Sequence, residues 1–141
     1  MNIDVSHRVP APVSRVYAAL LDPATIRRCV DGVESVAPVG ENAYEIRAKG
    51  GLKGRVQLEA LRPDEAVTLT LEGRSLAGSL KAVVHVSLRA QDEGTDVRGS
   101  GEVTVRGLLL ALGPKMLENG ARQAVGDFFR KLSAQLTSPG T

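Results

Sequence analysis

The chain has 141 residues, a length that fits one domain able to bury roughly 68–70% of the surface of its unfolded chain. Apolar residues make up 43% of the chain and charged residues 24%, which argues against a disordered or fibrous protein. The net charge is +2, and the Lys and Arg residues are interspersed with Asp and Glu instead of forming a basic block, which argues against a nucleic-acid partner.

Neither a targeting segment nor a structural metal site is indicated. The N-terminal run MNIDVSHRVP lacks a charged region followed by an apolar stretch, and no segment approaches the roughly 18 consecutive apolar residues of a membrane-spanning helix. Cys29 is the only cysteine, so no internal disulfide forms and the paired spacing of zinc ligands is missing. We therefore expect a cytoplasmic protein that needs no metal and no other cofactor.

The N-terminal part of the chain predicts a strand and two short helices. Apolar and polar residues alternate over residues 2–9, which is typical of a half-buried strand with His7 on its apolar face. Residues 12–21 have helical spacing, and the pair Asp22-Pro23 stops that helix. Asp22 is expected to cap a second short helix that runs to about Arg28.

Six further strands are predicted in the middle of the chain, each with one apolar and one polar face. Short turns rich in Gly, Pro, Asn and Asp separate them. The third of these strands places Leu58 and Ala60 on its inner face, and the last places Gly99 and Gly101 there, which predicts a bend or a close backbone approach. The predicted strands span residues 33–39, 43–49, 52–61, 67–71, 80–89 and 96–106.

One long helix is predicted over residues 107–136, with a length of about 45 Å at 1.5 Å per residue. Strands joined by short turns and followed by one long helix indicate an α+β fold, in which the helix lies across the concave face of a curved, seven-stranded antiparallel sheet. We expect a single domain over residues 1–137 and a frayed tail over 138–141. The apolar stripe of the helix consists of Gly113, Leu117, Ala121, Ala124, Phe128, Leu132 and Leu136.

Three stretches of the chain resemble one known family: LLDPATIRRCVDGVESVAPVGENAYE (residues 20–45), KGRVQLE (53–59) and GARQAVGDFFRKL (120–132). They are similar to the CoxG family of carbon monoxide dehydrogenase subunits, a branch of the START-like, helix-grip superfamily that also holds polyketide cyclases. The most specific match is the order DP, RC, DG and ES between residues 22 and 35. This chain departs from the family at Asp31, where a proline is usual, and at Val33, where a cysteine is usual.

The resemblance implies a helix-grip domain without known catalysis of its own, working beside a molybdenum hydroxylase of the carbon monoxide dehydrogenase type. The implied role is recruitment of that enzyme to the inner membrane, or handling of a lipophilic electron carrier such as a quinone in the helix-grip cavity. Some relatives carry a C-terminal extension that could serve as an anchor. This chain ends at Thr141, so we expect any membrane contact to be peripheral, and the sequence leaves the oligomeric state open.

Small residues in the middle of the long helix face aliphatic residues of the strands, which predicts either close packing or a hollow for a hydrophobic small molecule. A core with few aromatic residues makes such a hollow easier to leave open. The residues expected to line the cavity are His7, Tyr44, Ile46, Val56, Leu58, Leu69, Leu71, Val84, Val86, Val103, Leu117, Ala121, Ala124 and Phe128.

His7 is the polar residue with the clearest chemical potential on the predicted inner face. It could donate to a ligand carbonyl, act as a base, or be a core histidine bonded to backbone or water. Because the other inward positions are almost all aliphatic, the sequence favours binding over catalysis. Two alternatives stay open: a cyclase- or hydrolase-like enzyme acting on an aromatic substrate, and a docking module with a closed core.

The run GLLLALG at residues 107–113 contains five consecutive apolar residues, more than one helix stripe can bury. Two interpretations stay open: the run caps the cavity and packs on the short helices, or it forms an exposed lip for a membrane or a partner protein. The residues of this predicted lip are Arg106, Leu108, Leu109 and Leu112.

Overall fold

The computed structural model describes residues 1–137, which form seven strands, three α-helices and a short 3₁₀ segment. The tail expected at 138–141 lies outside the described residues. The strands are β1 (Asn2–Val9), β2 (Val33–Gly40), β3 (Ala43–Ala48), β4 (Leu52–Arg62), β5 (Ala66–Ser75), β6 (Gly78–Gln91) and β7 (Gly94–Arg106). The helices are α1 (Val13–Leu21), α2 (Pro23–Cys29) and α3 (Pro114–Thr137), and the 3₁₀ segment is Gly107–Leu112.

All seven strands belong to one sheet in the order β1-β7-β6-β5-β4-β3-β2, and every neighbouring pair is antiparallel. The two short helices connect β1 to β2, the two edge strands. Apolar residues of all three helices pack with the inner strand residues, so the helices share the concave face of the sheet. The predicted α+β helix-grip architecture is confirmed.

The junction between α1 and α2 follows from its sequence. The Ala24 backbone N–H donates to Asp22 Oδ1 at 2.9 Å, and Pro23 occupies the first helical position, where its missing N–H costs nothing. The predicted cap is therefore confirmed. α1 is tied to the sheet by the hydroxyl of Tyr17, which donates to the carbonyl oxygen of Ala66 at 3.0 Å.

Two features of the sheet depend on backbone geometry. A Cβ on Gly101 would lie 1.9 Å from the carbonyl oxygen of Val83, so the close backbone approach predicted here is confirmed. In β4, Ala60 has φ +50° and lies in a bulge that shifts the register with β5. The bulge leaves Ala60 exposed, contrary to the predicted inward position, and Leu61 packs on the core instead.

The C-terminal helix begins at Pro114 and not at the predicted Gly107. Gly107 and Gly113 have φ values of +86° and +83°, which bracket the 3₁₀ segment with backbone conformations outside the α-helical region. Pro114 then starts α3, in keeping with the preference for proline in the first turn of a helix. α3 has 24 residues, so it is about 36 Å long and still crosses the sheet.

The buried stripe of α3 differs from the prediction at one position. Leu132 is fully buried, and Ala121, Phe129 and Leu136 pack against the buried clusters. Ala124 is exposed, because the helix is rotated so that its inward face lies one residue further along the chain. The expectation that Ala124 points to the interior is therefore wrong.

Candidate ligand-binding site

One end of the concave face is fully packed, and we name it the closed end. Its strand residues are less than a tenth exposed. Val16 and Tyr17 of α1, together with the second half of α3, cover it. The closed end consists of Val9, Leu58, Val67, Leu88 and Val97.

The rest of the concave face is apolar but only half-buried, and we name it the open face. It extends from the middle of the sheet to the end where β5 turns into β6. α3 packs mainly against β1 and α2 and leaves these strand residues partly uncovered. The open face consists of Tyr44, Ile46, Leu69, Leu71, Leu80, Val84 and Val105.

The residues predicted to line a cavity divide between these regions. Val56, Leu58 and Val103 are 4%, 5% and 9% exposed, which places them in the packed core, because a side chain beside a ligand-sized void keeps accessible surface. Ala124 is exposed. The remaining ten are half-buried and include five residues of the open face: His7, Tyr44, Ile46, Leu69, Leu71, Val84, Val86, Leu117, Ala121 and Phe128.

α3 is asymmetric above the two regions. Phe128 and Phe129 lie edge to face with ring centroids 5.3 Å apart, and they belong to the half of the helix that continues to Leu132 in the closed end. The first half carries small residues, and a Cβ on Gly120 would meet no atom within 4 Å. The helix therefore brings bulk to the closed end and leaves space towards its own beginning.

His7 lies on β1 beneath α3. Its half-buried ring stacks on Phe129 with centroids 4.8 Å apart and an interplanar angle of 19°. Within the described part of the chain, no Ser, Cys, Asp or Glu side chain hydrogen-bonds to the ring, so His7 has no partner that would make it part of a nucleophile–base pair. The ring contributes to the packing between β1 and α3.

The two tyrosines lie in different environments. Tyr17 is buried, its hydroxyl is bonded to the Ala66 carbonyl, and burial is the main cause that raises its pKa. Tyr44 is half-buried on the open face, and its hydroxyl has no hydrogen-bond partner among residues 1–137. Sequence analysis missed the role of Tyr17, although its place on the apolar side of α1 was a signal for burial. Tyr44 is the polar group available to a molecule on the open face.

Two surface depressions lie outside the concave strand residues. One, of about 260 Å³, is on the convex face beside His85, whose Nδ1 lies 3.0 Å from Thr68 Oγ1. The other, of about 390 Å³, lies between the short helices and the end of α3, beside Arg15 and Arg28. Neither contains the residues predicted to line a cavity, so that the open face holds a ligand stays a prediction.

Cys29 is buried at the end of α2, with its Sγ 3.9 Å from the side-chain oxygen of Gln135. Burial raises the pKa of the thiol, and the nearby positive charges of Arg28 and Lys131 only partly oppose this effect. The thiolate is therefore disfavoured, which fits a structural cysteine. Within residues 1–137 no group of three or more His, Cys, Asp or Glu side chains is placed to hold a metal ion.

The predicted lip is largely exposed. Arg106, Leu108 and Leu112 are exposed, whereas Leu109 is half-buried and its backbone N–H donates to the Ala77 carbonyl at 2.9 Å. Of the two interpretations left open by the sequence, exposure favours the lip over a packed cap. No helix in the described part of the chain combines the length and hydropathy needed to cross a membrane.

Comparison with solved structures shows the same fold in other proteins. A conserved protein from Geobacillus kaustophilus is 24% identical with a TM-score of 0.92, covering 96% of this chain and 95% of that one. A protein from Chromobacterium violaceum is 20% identical with a TM-score of 0.76, and each chain is covered to 97%. DynU16, a protein of the dynemicin biosynthetic locus, is 18% identical with a TM-score of 0.64, covering 95% of this chain and 48% of that one.

Sequence comparison identifies the family. A search against curated proteins gives no match. Residues 6–137, nearly the whole described chain, match the profile of the carbon monoxide dehydrogenase subunits of the CoxG type. The matched range includes both short helices, all of α3 and every strand except the start of β1. This chain therefore belongs to the CoxG family of carbon monoxide dehydrogenase subunits.

Proposed function

We propose that this protein binds a lipophilic small molecule on its open face and serves as an accessory to a molybdenum hydroxylase of the carbon monoxide dehydrogenase type, with no chemistry of its own. The observation that carries the binding function is the half-buried apolar surface beside a fully packed one on the same sheet. Membership of the family supports the partner enzyme.

The lining of the open face defines the class of ligand. Its side chains are aliphatic except for the Tyr44 ring and hydroxyl, so binding comes mainly from apolar area removed from water, at about 25 cal/mol per Å². A molecule with a long apolar body and one or two carbonyl oxygens matches this surface, because the Tyr44 hydroxyl is free to donate to an oxygen. A quinone or another isoprenoid lipid has this composition.

The polar groups near the open face favour binding over catalysis. His7 is occupied in a stack with Phe129 and has no carboxylate or nucleophile beside it within residues 1–137. General acid–base chemistry needs a second group within hydrogen-bond reach of the substrate. Tyr44 alone supplies a donor and no base, which is sufficient to orient a ligand.

Organic extraction of the purified protein followed by mass spectrometry tests the binding function. We expect an isoprenoid or other lipid in the extract of the wild type and none from Leu71→Trp, because the indole occupies space on the open face. The Leu58→Trp variant is the matched control, since it adds the same side chain at the closed end of the neighbouring strand. Any folded Leu58→Trp protein should still contain lipid. An empty wild-type protein that also fails to bind added ubiquinone or menaquinone would contradict the proposal and favour a docking module.

The accessory role is tested with a purified molybdenum hydroxylase of the carbon monoxide dehydrogenase type from the same organism. We expect the enzyme to sediment with lipid vesicles when this protein is present and to stay in solution when it is absent, as membrane recruitment requires. An enzyme distribution that does not change on adding the protein would contradict this role and leave the lipid-extraction result unaffected.

A further inference from the structure

Large apolar side chains are exposed mainly at one end of the molecule. Among residues 1–137, nine such side chains are exposed, and five of them belong to the β5–β6 turn, the 3₁₀ segment and the start of α3. They are Leu76, Leu108, Leu110, Leu112 and Met116, with exposed fractions of 100%, 74%, 57%, 50% and 61%. We name these five residues the apolar rim.

Backbone contacts bring the two parts of the rim together. The Leu109 N–H donates to the Ala77 carbonyl, which joins the 3₁₀ segment to the β5–β6 turn. Gly78 and Gly107 are in direct contact, because a Cβ on Gly107 would lie 2.8 Å from the Cα of Gly78. Leu76 is therefore held at the same end of the sheet as the leucines of the 3₁₀ segment, although about thirty residues separate them in sequence.

A row of cations borders the rim. Lys53 pairs with Arg74, Arg74 with Ser79 and Ser79 with Arg106, so three cations and one serine lie in one line across four adjacent strands. Lys115 follows at the start of α3. All four cations are exposed, and none forms an ion pair with another described residue.

The other end of the sheet carries the opposite charge. The three turns there contain Glu41, Asp64 with Glu65, and Asp92 with Glu93, of which Glu65 alone is in an ion pair within residues 1–137. The β3–β4 and β5–β6 turns at the rim end contain no acidic residue. The charges that are interspersed along the sequence are therefore separated in space, and the positive end coincides with the apolar rim.

We propose that the apolar rim and its row of cations dock the protein on a bilayer that contains anionic lipid. Projecting aliphatic side chains suit a fluid apolar boundary, whereas a protein partner would need a matching hollow for a fully exposed residue such as Leu76. The rim also lacks the aromatic side chains that anchor protein interfaces. Unpaired cations beside it are attracted to anionic headgroups.

Docking in this orientation places the open face beside the bilayer. Leu80 and Val105 of the open face lie next to the strand ends that carry the rim. A lipophilic molecule could then pass between the bilayer and the protein without crossing water. This second step rests on the proposed binding function, whereas the docking itself does not.

Co-sedimentation with vesicles tests the docking. We expect the wild type to bind vesicles of phosphatidylcholine with phosphatidylglycerol much better than vesicles of phosphatidylcholine alone, and to dissociate as salt is raised, because salt screens exposed charges. The variant Leu76→Ser/Leu108→Ser/Leu110→Ser should lose binding, since each leucine fully transferred to the apolar boundary contributes at least about tenfold. The variant Lys53→Gln/Arg74→Gln/Arg106→Gln should lose about fivefold for each cation removed.

Matched controls come from exposed residues away from the rim. Val39→Ser removes an exposed apolar side chain of β2, and Arg27→Gln/Arg89→Gln removes two exposed cations without an ion pair among residues 1–137. Both controls should bind anionic vesicles as the wild type does. Leu76→Ser alone, at a fully exposed turn residue, gives a second leucine variant if the triple variant unfolds, and it should weaken binding by itself.

Three outcomes would overturn the docking proposal. They are a wild type that binds neither kind of vesicle, folded rim variants that bind as well as the wild type, and a rim covered by a second copy, seen as a dimer that the leucine variant dissociates. Lipid extraction from the same rim variants separates this proposal from the proposed function. If docking fails while extracted lipid is retained, the binding function stands, and if extraction is empty while vesicles are bound, the docking stands.

Discussion

The closed end and the open face are built from the same kinds of residue on the same sheet, but only one of them is packed. Leu58 and Leu69 are direct cross-strand partners, yet Leu58 is 5% exposed and Leu69 is half-buried. The difference lies above the sheet, where Val16 and Tyr17 of α1 and Leu132 of α3 cover the closed end. The placement of the helices, more than the strand sequence, decides which part of the concave face is solid core.

The comparison also explains why a stable domain can keep an open apolar surface. Burial at the closed end joins both short helices, the second half of α3 and five strands in one cluster. Such a cluster supplies most of the free energy of folding, since apolar burial is its main favourable contribution. The open face can then stay partly uncovered, and the predictions below test whether the two regions differ in this way.

The largest effect is expected from truncating the packed side. Leu132→Ala should lower the free energy of unfolding by about 2–5 kcal/mol, because it removes a fully buried side chain and leaves a cavity. Leu71→Ala, on the open face, should lower it by only about 1 kcal/mol, since less surface returns to water and the site is already accessible. Urea unfolding of both variants measures the difference. Equal losses would mean that the two regions are packed alike.

Adding bulk should separate the regions in the opposite sense. Leu58→Trp should destabilise the protein by about 1–3 kcal/mol, because a packed site has no room for an indole. Leu71→Trp should change the free energy of unfolding by no more than about 0.5 kcal/mol, as is usual for sites without steric conflict. Thermal and urea unfolding of the pair give both values. A strongly destabilised Leu71→Trp protein would show that the open face is filled.

Much of this division could be predicted from the sequence, because it depends on local pattern. The alternation of apolar and charged residues predicted every strand, Asp22-Pro23 predicted the break between the short helices, and Gly101 predicted the close approach of β7 to β6. Each of these signals acts within a few residues of itself. The family resemblance then predicted the helix-grip arrangement that joins them, and the fold confirms it.

The features that the sequence did not predict depend on contacts between distant segments. The run at residues 107–113 has the composition of a helix, and only the positive φ values of Gly107 and Gly113 show that it is separate from α3. The phase of α3 is set by its packing on β1 and α2, which is why Ala124 was misplaced. The separation of charge along the sheet requires the strand register, since Lys53, Arg74 and Arg106 are far apart in sequence.

The two tyrosines extend the comparison to hydrogen bonding. Tyr17→Phe should lower the free energy of unfolding by about 0.5–1.5 kcal/mol, because it removes a bond to the Ala66 carbonyl at the closed end. Tyr44→Phe should leave stability unchanged, since its hydroxyl has no partner among residues 1–137. It should instead weaken the binding of an added quinone, measured by fluorescence or calorimetry. A Tyr44→Phe protein that is destabilised but binds normally would assign Tyr44 to the core.

The smallest effect is expected at an ion pair that ties α3 to the segment after α2. Lys131 donates a hydrogen bond to Asp31, and this bond is the main cause that lowers the pKa of the Asp31 carboxyl. Because the folded-state pKa lies below the unfolded value of about 3.9, the stabilisation is present above that value and is lost as pH falls through the folded pKa. Asp31 is fully exposed, so solvent screening keeps the effect small.

The pH dependence of unfolding tests this ion pair. Wild-type stability should decrease on acidification partly through Asp31, and Lys131→Met should remove that part, so the difference between the two proteins should narrow below the folded pKa. Arg122→Met is the matched control, because Arg122 pairs with Glu118 within α3 and its loss does not separate α3 from α2. If Lys131→Met and Arg122→Met give the same pH profile, the contact with Asp31 does not hold α3 at the closed end. The attachment of the helix would then depend on apolar packing around Leu132 alone.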